Sequence, residues 1–111
     1  MATTYKVLGQ TGPTGTTLAD LYTAPTGVSA VCSTLVVCNR GTSTPFRVAI
    51  RPTGTAIQNH HYIIYDNYVN QYDSVFLTLG ITLGEKDVVS VYQSTVGTGT
   101  LSFSLFGSEI V

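Results

Sequence analysis

Short runs of alternating apolar and polar side chains, cut by turn residues about every ten positions, constrain this chain more than any other feature. Phe46, Val48 and Ile50 alternate with Arg47, Ala49 and Arg51. Leu101, Phe103 and Leu105 alternate with Ser102 and Ser104, and Val75, Leu77 and Leu79 with Phe76 and Thr78. Successive side chains of an extended strand point to opposite faces. Each run therefore offers one face to a core and one to solvent or a partner. The pattern predicts strands near residues 3–8, 18–24, 30–38, 45–51, 60–65, 73–79, 87–93 and 100–106. No segment carries a 3.6-residue apolar stripe. The fold expected is all-β: one antiparallel β-sandwich over residues 1–111, jelly-roll or Ig-like, of about eight short strands. Residues 1–15 are read as an extended N-terminal arm.

The breaks have their own chemistry. Pro-Thr-Gly recurs at Pro13-Thr14-Gly15, Pro25-Thr26-Gly27 and Pro52-Thr53-Gly54. Proline presets φ for a turn and glycine tolerates the exit geometry. Further breaks are expected at Asn39-Arg40-Gly41, Asp66-Asn67, Gly80, Gly84 to Lys86 and Gly97-Thr98-Gly99. The polar, Tyr-rich stretch 66–72 reads as a loop. Composition agrees with the strands: Thr is over-used, and there are 7 Tyr but no Trp. β-Branched and aromatic residues suit a pleated, half-buried surface.

Charge excludes some partners and suggests others. Only 10% of residues are charged and the net charge is -1, so no basic excess exists to neutralise nucleic-acid phosphates. No apolar run approaches the roughly 20 residues of a membrane span. The start, Met1-Ala2-Thr3-Thr4-Tyr5-Lys6, does not read as a signal peptide. A surface this poor in charge suits a chain that lives in an assembly better than a free monomer.

No constellation for chemistry stands out. Cys32 and Cys38 lie on one predicted strand, on the same face, with roughly 20 Å between them. That separation excludes an internal disulfide, which needs Cα atoms within about 7 Å. They read as buried small hydrophobes, with inter-subunit pairing as the alternative. His60 and His61, adjacent on a predicted strand, would point to opposite faces and could not share a metal ion. Asp20, Asp66, Asp73, Glu85, Asp87 and Glu109 fall mostly in predicted turns, and Glu85-Lys86-Asp87 reads as a solvated hairpin tip. No nucleophile elbow, zinc-protease motif or P-loop occurs. Neither catalytic, metal nor cofactor residues are assigned, and the chain is expected not to be an enzyme.

Two groups of residues suggest a contact surface. Arg40, Arg47 and Arg51 lie close together in sequence, the last two on the non-core face of one strand. They are expected to pair with carboxylate or carbonyl groups of a partner, for which arginine's fork of donors is suited. Tyr65, Tyr68 and Tyr72 add large, rigid, amphipathic area of the kind enriched in interfaces. The same aromatic group could stack on sugar rings, with Tyr65-Asp66-Asn67-Tyr68 as the candidate stretch.

The run Ser33-Thr34-Leu35-Val36-Val37-Cys38-Asn39-Arg40-Gly41, followed by Phe46-Arg47-Val48-Ala49-Ile50-Arg51-Pro52, resembles a family of small structural proteins of tailed bacteriophages, including cyanophages. His60-His61-Tyr62-Ile63-Ile64-Tyr65-Asp66 and the ending Leu101 to Ile110 are similar to the same family, so the resemblance covers roughly residues 5–110. It implies a virion protein made in the host cytoplasm: a capsid cement, or decoration, protein bound as a trimer to the major capsid protein on the outer head. Such proteins are commonly small β-sandwich or jelly-roll domains. A tail, baseplate or fibre component is the alternative, and a carbohydrate- or receptor-binding module a further one. The resemblance assigns no functional residue by position.

Overall fold

The computed structural model describes residues 2–13, 17–93 and 100–111. The expected turn residues Thr14-Gly15 and the break at Gly97-Thr98-Gly99 lie outside the described residues. Eight strands follow one another: β1 (Thr3–Thr11), β2 (Ala19–Thr23), β3 (Ser29–Asn39), β4 (Thr44–Arg51), β5 (Tyr62–Val69), β6 (Ser74–Leu83), β7 (Val88–Gln93) and β8 (Leu101–Ile110). They form two four-stranded sheets, ordered β1-β8-β3-β6 and β2-β7-β4-β5. All ladders are antiparallel. The pairings β1–β8, β2–β7, β3–β6 and β4–β5 are those of one long hairpin folded over on itself. That order is a jelly roll, which resolves the choice left open by the sequence. The strand expected near residues 3–8, within the N-terminal segment 1–15, runs from Thr3 to Thr11 and forms an edge of the first sheet.

The core lies between the sheets, as alternation requires. Phe46, Val48, Val89, Val91, Leu101, Phe103 and Leu105 are buried, and Phe46 meets Phe103 edge-on with ring centroids 6.1 Å apart. Ile50, Val75 and Leu77, also expected in the core, are half-buried against it. In β3, where both faces are apolar, Val36 is expected in the core from the sequence, but Leu35 and Val37 are buried and Val36 turns outward.

The cause is a set of β-bulges, each of which adds one residue and reverses the facing beyond it. Ser33 is the extra residue of β3 against β8, Leu8 that of β1 against β8, and Leu79-Gly80 widens β6 opposite Ser33. These irregularities line up as a crease across the first sheet. Cys32 therefore faces the core while Cys38 faces outward, not the same way as even spacing implied. Both thiols are free. Gly80, expected as a strand end, instead supplies the positive φ of 65° that this bulge uses, and β6 runs on to Leu83. Gly9 follows the crease on β1, where a Cβ would collide with the Leu21 carbonyl on the opposite sheet.

Two further corrections concern β5. The strand continues to Val69, through most of the expected loop, because Asp66 at φ 53° forms a bulge and not a turn. It also starts later than expected: Asn59–His61 is a 3₁₀ turn. His60 and His61 are consequently not on opposite strand faces, and their rings touch at 4.5 Å. His61 is buried, and its Nδ1 accepts the Gln58 N–H. Burial, then His60 and Arg51, hold its pKa below the ordinary range.

Buried amides close one end of the sandwich. Asn39 Nδ2 donates to the Thr42 and Val69 carbonyls, and its Oδ1 accepts the Gly41 N–H. Gln93 Nε2 donates to the Pro13 carbonyl, and its Oε1 accepts from Thr100 and Leu101. Both are buried where strands leave the sheets, so every polar atom needs such a partner. At the other end Glu85-Lys86-Asp87 is solvated as expected, with Glu85 and Lys86 exposed, but it is no hairpin tip, because β6 and β7 lie in different sheets. Asp87 accepts from the backbone of Gly84 and Thr53, and Glu85 accepts from Gly27.

The facing of β3 is directly testable. Leu35→Ala should cost about 2–5 kcal/mol and Phe103→Ala about 3–5 kcal/mol, as core truncations. Val36→Ala should cost under about 1 kcal/mol. Urea unfolding midpoints measure all three, and a Val36 loss equal to that of Leu35 would mean the bulge at Ser33 is absent.

Candidate functional site

The outer face of the β2-β7-β4-β5 sheet is built around Arg47. Phe46 and Val48 point inward, so Arg47 points out. Its Nε and Nη2 donate to Asp66 Oδ1 and Oδ2 at 2.6 and 3.2 Å. The guanidinium carbon lies 4.1 Å from the centroid of Tyr65, 4.5 Å from Tyr92 and 6.0 Å from Tyr62. A planar cation over aromatic faces is favourable, and more so when partly desolvated. Tyr62 and Tyr65 also meet edge-on at 5.0 Å.

The β5 bulge makes this possible. Phe46 pairs with Asn67 and Val48 with Ile64, so Tyr65 and Asp66 together face Arg47. Asp66 sits in the left-handed region, which Asp tolerates better than most residues. The bulge turns both the Tyr65 ring and the Asp66 carboxylate towards one guanidinium. The bond from Arg47 holds the Asp66 carboxyl below the usual carboxylate range, and the same bond raises Arg47. Tyr68 pairs with Pro45, two positions before Arg47, and so lies on the same face, 64% exposed.

Arg51 is engaged differently. Its Nη2 donates to Asp20, its Nε to Ser90 Oγ and its Nη1 to the Gly54 and Thr55 carbonyls. Ser90 Oγ also donates to Asp20. Arg51 thus ties β2, β4 and β7 to the loop after β4. Arg40 donates to Ser102 on the other sheet. The three arginines do not form one patch: each meets a different part of the fold, and Arg47 and Arg51 already hold carboxylates. Tyr72 stands in the turn before β6, 75% exposed with φ 58°.

A second surface is absent from the sequence reading. The four strands of the β1-β8-β3-β6 sheet contain two charged residues, Lys6 and Glu109. These bond each other at 3.2 Å, and Glu109 also accepts from buried Tyr22 of the opposite sheet at 2.6 Å. The Tyr22 bond, then Lys6, keeps the Glu109 carboxyl below its usual range. Burial first, and then Glu109, push the Tyr22 phenol up. Burial likewise pushes the Cys32 thiol up to about 11, away from reactivity. With Glu109 turned inward, the outer face carries Tyr5, Val7, Val36, Phe76 and Phe106 among Thr and Ser, and no charged strand residue. Tyr5 is 85% exposed and Phe76 73%. The signal was present in the near absence of charge from these segments, but only the strand order assembles them into one face.

Other features are modest. A shallow depression of about 330 Å³ lies over Gln10–Gly12 and Ser102–Ser104. Among the described residues no group of three His, Cys, Asp or Glu could hold a metal ion, and no helix is long and apolar enough to cross a membrane. No family model, curated protein or solved structure matches the chain.

Two outcomes follow from these pairs. Asp66 and Glu109 have folded pKa values below their unfolded ones, so their contributions are present above the unfolded values and are lost as pH falls through the folded values. Stability measured down the acid limb should fall more gently in Asp66→Asn and in Glu109→Gln than in the parent chain. Arg51→Ala, which removes the donors to Asp20, Ser90 and the exposed Gly54 and Thr55 carbonyls, should lower unfolding stability by about 0.5–1.5 kcal/mol. An unchanged denaturation midpoint would show that the clasp contributes nothing.

Proposed function

We propose that this chain is a non-enzymatic virion structural protein, a capsid cement that lies on the outer surface of a phage head as a homotrimer and binds the major capsid protein. The observation that carries this reading is the outer face of the β1-β8-β3-β6 sheet, to which its strands contribute no outward charge, with Tyr5, Val7 and Phe76 exposed on it and Arg40 bonded to Ser102 at one end. Exposed aromatic and aliphatic side chains on a sheet face that its strands leave without charge suit a protein contact, because interface centres are depleted in charge. Four strands about 4.8 Å apart and about 30 Å long make a face of roughly 600 Å² before side-chain relief. That is comparable with the roughly 800 Å² each partner contributes to a standard interface.

The rest of the molecule supports the role. Cementing needs a rigid module and no chemistry; the jelly roll here is stapled at one end by buried amide bonds and at the other by carboxylate bonds to backbone N–H groups. A ligand that binds only the assembled shell favours it by mass action, and many copies add avidity. Cyclic symmetry lets one patch serve every copy of a trimer. The sequence resemblance to phage structural proteins points the same way.

Electron microscopy of the purified virion is the test. Trimeric density on the head, in hundreds of copies, is expected, with the β1-β8-β3-β6 face covered. Phe76→Glu should melt as the parent chain does yet fail to occupy heads. Density confined to the tail or baseplate would replace the cement reading with the tail alternative, and single copies on the head would defeat the trimer.

A further inference from the structure

The surface around Arg47 is on the sheet opposite the proposed capsid-facing one, and its chemistry differs. Its bidentate bond with Asp66 uses Nε and one Nη2 proton, so the remaining donors of a side chain 22% exposed have no partner among the described residues. Asp66, 41% exposed, has accepted one N–H on each oxygen and keeps lone pairs open to solvent. Donors and acceptors therefore stand side by side. Next to them Tyr65 is 59% exposed, and Tyr68 flanks the same face.

A pyranose ring has the matching anatomy. One of its faces is a sheet of C–H bonds that can lie on an aromatic ring. Its edge carries adjacent hydroxyls, each both donor and acceptor. The charges of Arg47 and Asp66 cancel, which favours a neutral ligand over an anionic or cationic one. A sugar would keep the pair hydrogen-bonded, whereas a dry protein contact would have to desolvate it at considerable cost. The groups are also held in place beforehand. The bulge fixes Asp66, the T-shaped contact with Tyr62 holds Tyr65, and Tyr92 backs the guanidinium. Little side-chain freedom remains to be lost on binding.

We propose that the outer face of the β2-β7-β4-β5 sheet is a glycan-binding platform, on which a neutral pyranose stacks on Tyr65 and bonds through adjacent hydroxyls to the Arg47–Asp66 pair. This inference does not depend on the capsid role and is tested on the isolated protein. Native affinity electrophoresis in gels containing soluble mannan, β-glucan or galactan should show retardation by at least one of them. Tyrosine emission is a second readout, since the chain has no Trp. Tyr65→Ala and Asp66→Asn should each weaken binding by about ten-fold or more, and Tyr68→Ala, at a residue 64% exposed, should weaken it while leaving the ion pair intact. Phe76→Ala, on the other sheet, should bind as the parent chain does. Retardation should persist from low salt to about 1 M, because the ligand brings no charge. The proposal is overturned by the absence of retardation in all three polysaccharides, by binding that Tyr65→Ala and Asp66→Asn leave unchanged, or by binding that salt abolishes.

Discussion

The contact between Phe46 and Phe103 is the constraint on which the rest of the molecule depends. It joins the inward faces of β4 and β8, one from each sheet, at the centre of the core. Once these rings face each other, strand alternation settles their neighbours. Arg47 must point out from one sheet, and Ser102 and Ser104 from the other. Two surfaces of contrasting chemistry then follow from one buried contact: an ionic, tyrosine-rich face and a hydroxyl-rich face to which the strands add no outward charge.

Alternation alone would extend that logic without interruption, and the bulges are where the molecule departs from it. At Ser33 an extra residue exchanges Val36 for Leu35 and Val37 in the core and separates Cys32 from Cys38. At Tyr65-Asp66 it turns an aromatic ring and a carboxylate towards one arginine. The second bulge lies on an edge strand, where irregular pairing also discourages sheet-to-sheet aggregation. A left-handed Asp is a modest strain. Here the bidentate bond to Arg47 offsets it, so backbone and side chain support each other.

Charge is used sparingly and locally. Arg47 holds Asp66, Arg51 holds Asp20, and Lys6 holds Glu109. None of these pairs lies at the middle of the β1-β8-β3-β6 outer face, which is left to apolar and hydroxyl groups. The ionic pairs secure the fold and one outer face, whereas the strands of the other sheet turn apolar and hydroxyl side chains outward.

The sequence by itself determined that the chain is all-β, and located eight strands by their period of two and their turn residues. It also determined the facing of β4 and β8, where Phe46, Val48, Leu101, Phe103 and Leu105 alternate with polar neighbours. In β3 both faces are apolar, so one inserted residue leaves no mark in the pattern and its facing was not legible. Gly80 and Asp66 were legible as special backbone positions but not as bulges, because turns and bulges draw on the same left-handed conformation. Strand order, the two outer faces and the partners of the arginines were decided only by the tertiary structure. Asp66 is 19 residues from Arg47 and Asp20 is 31 from Arg51. Contacts at such separations arise when distant segments pack around a shared core, and local periodicity contains no information about which strand will lie beside which.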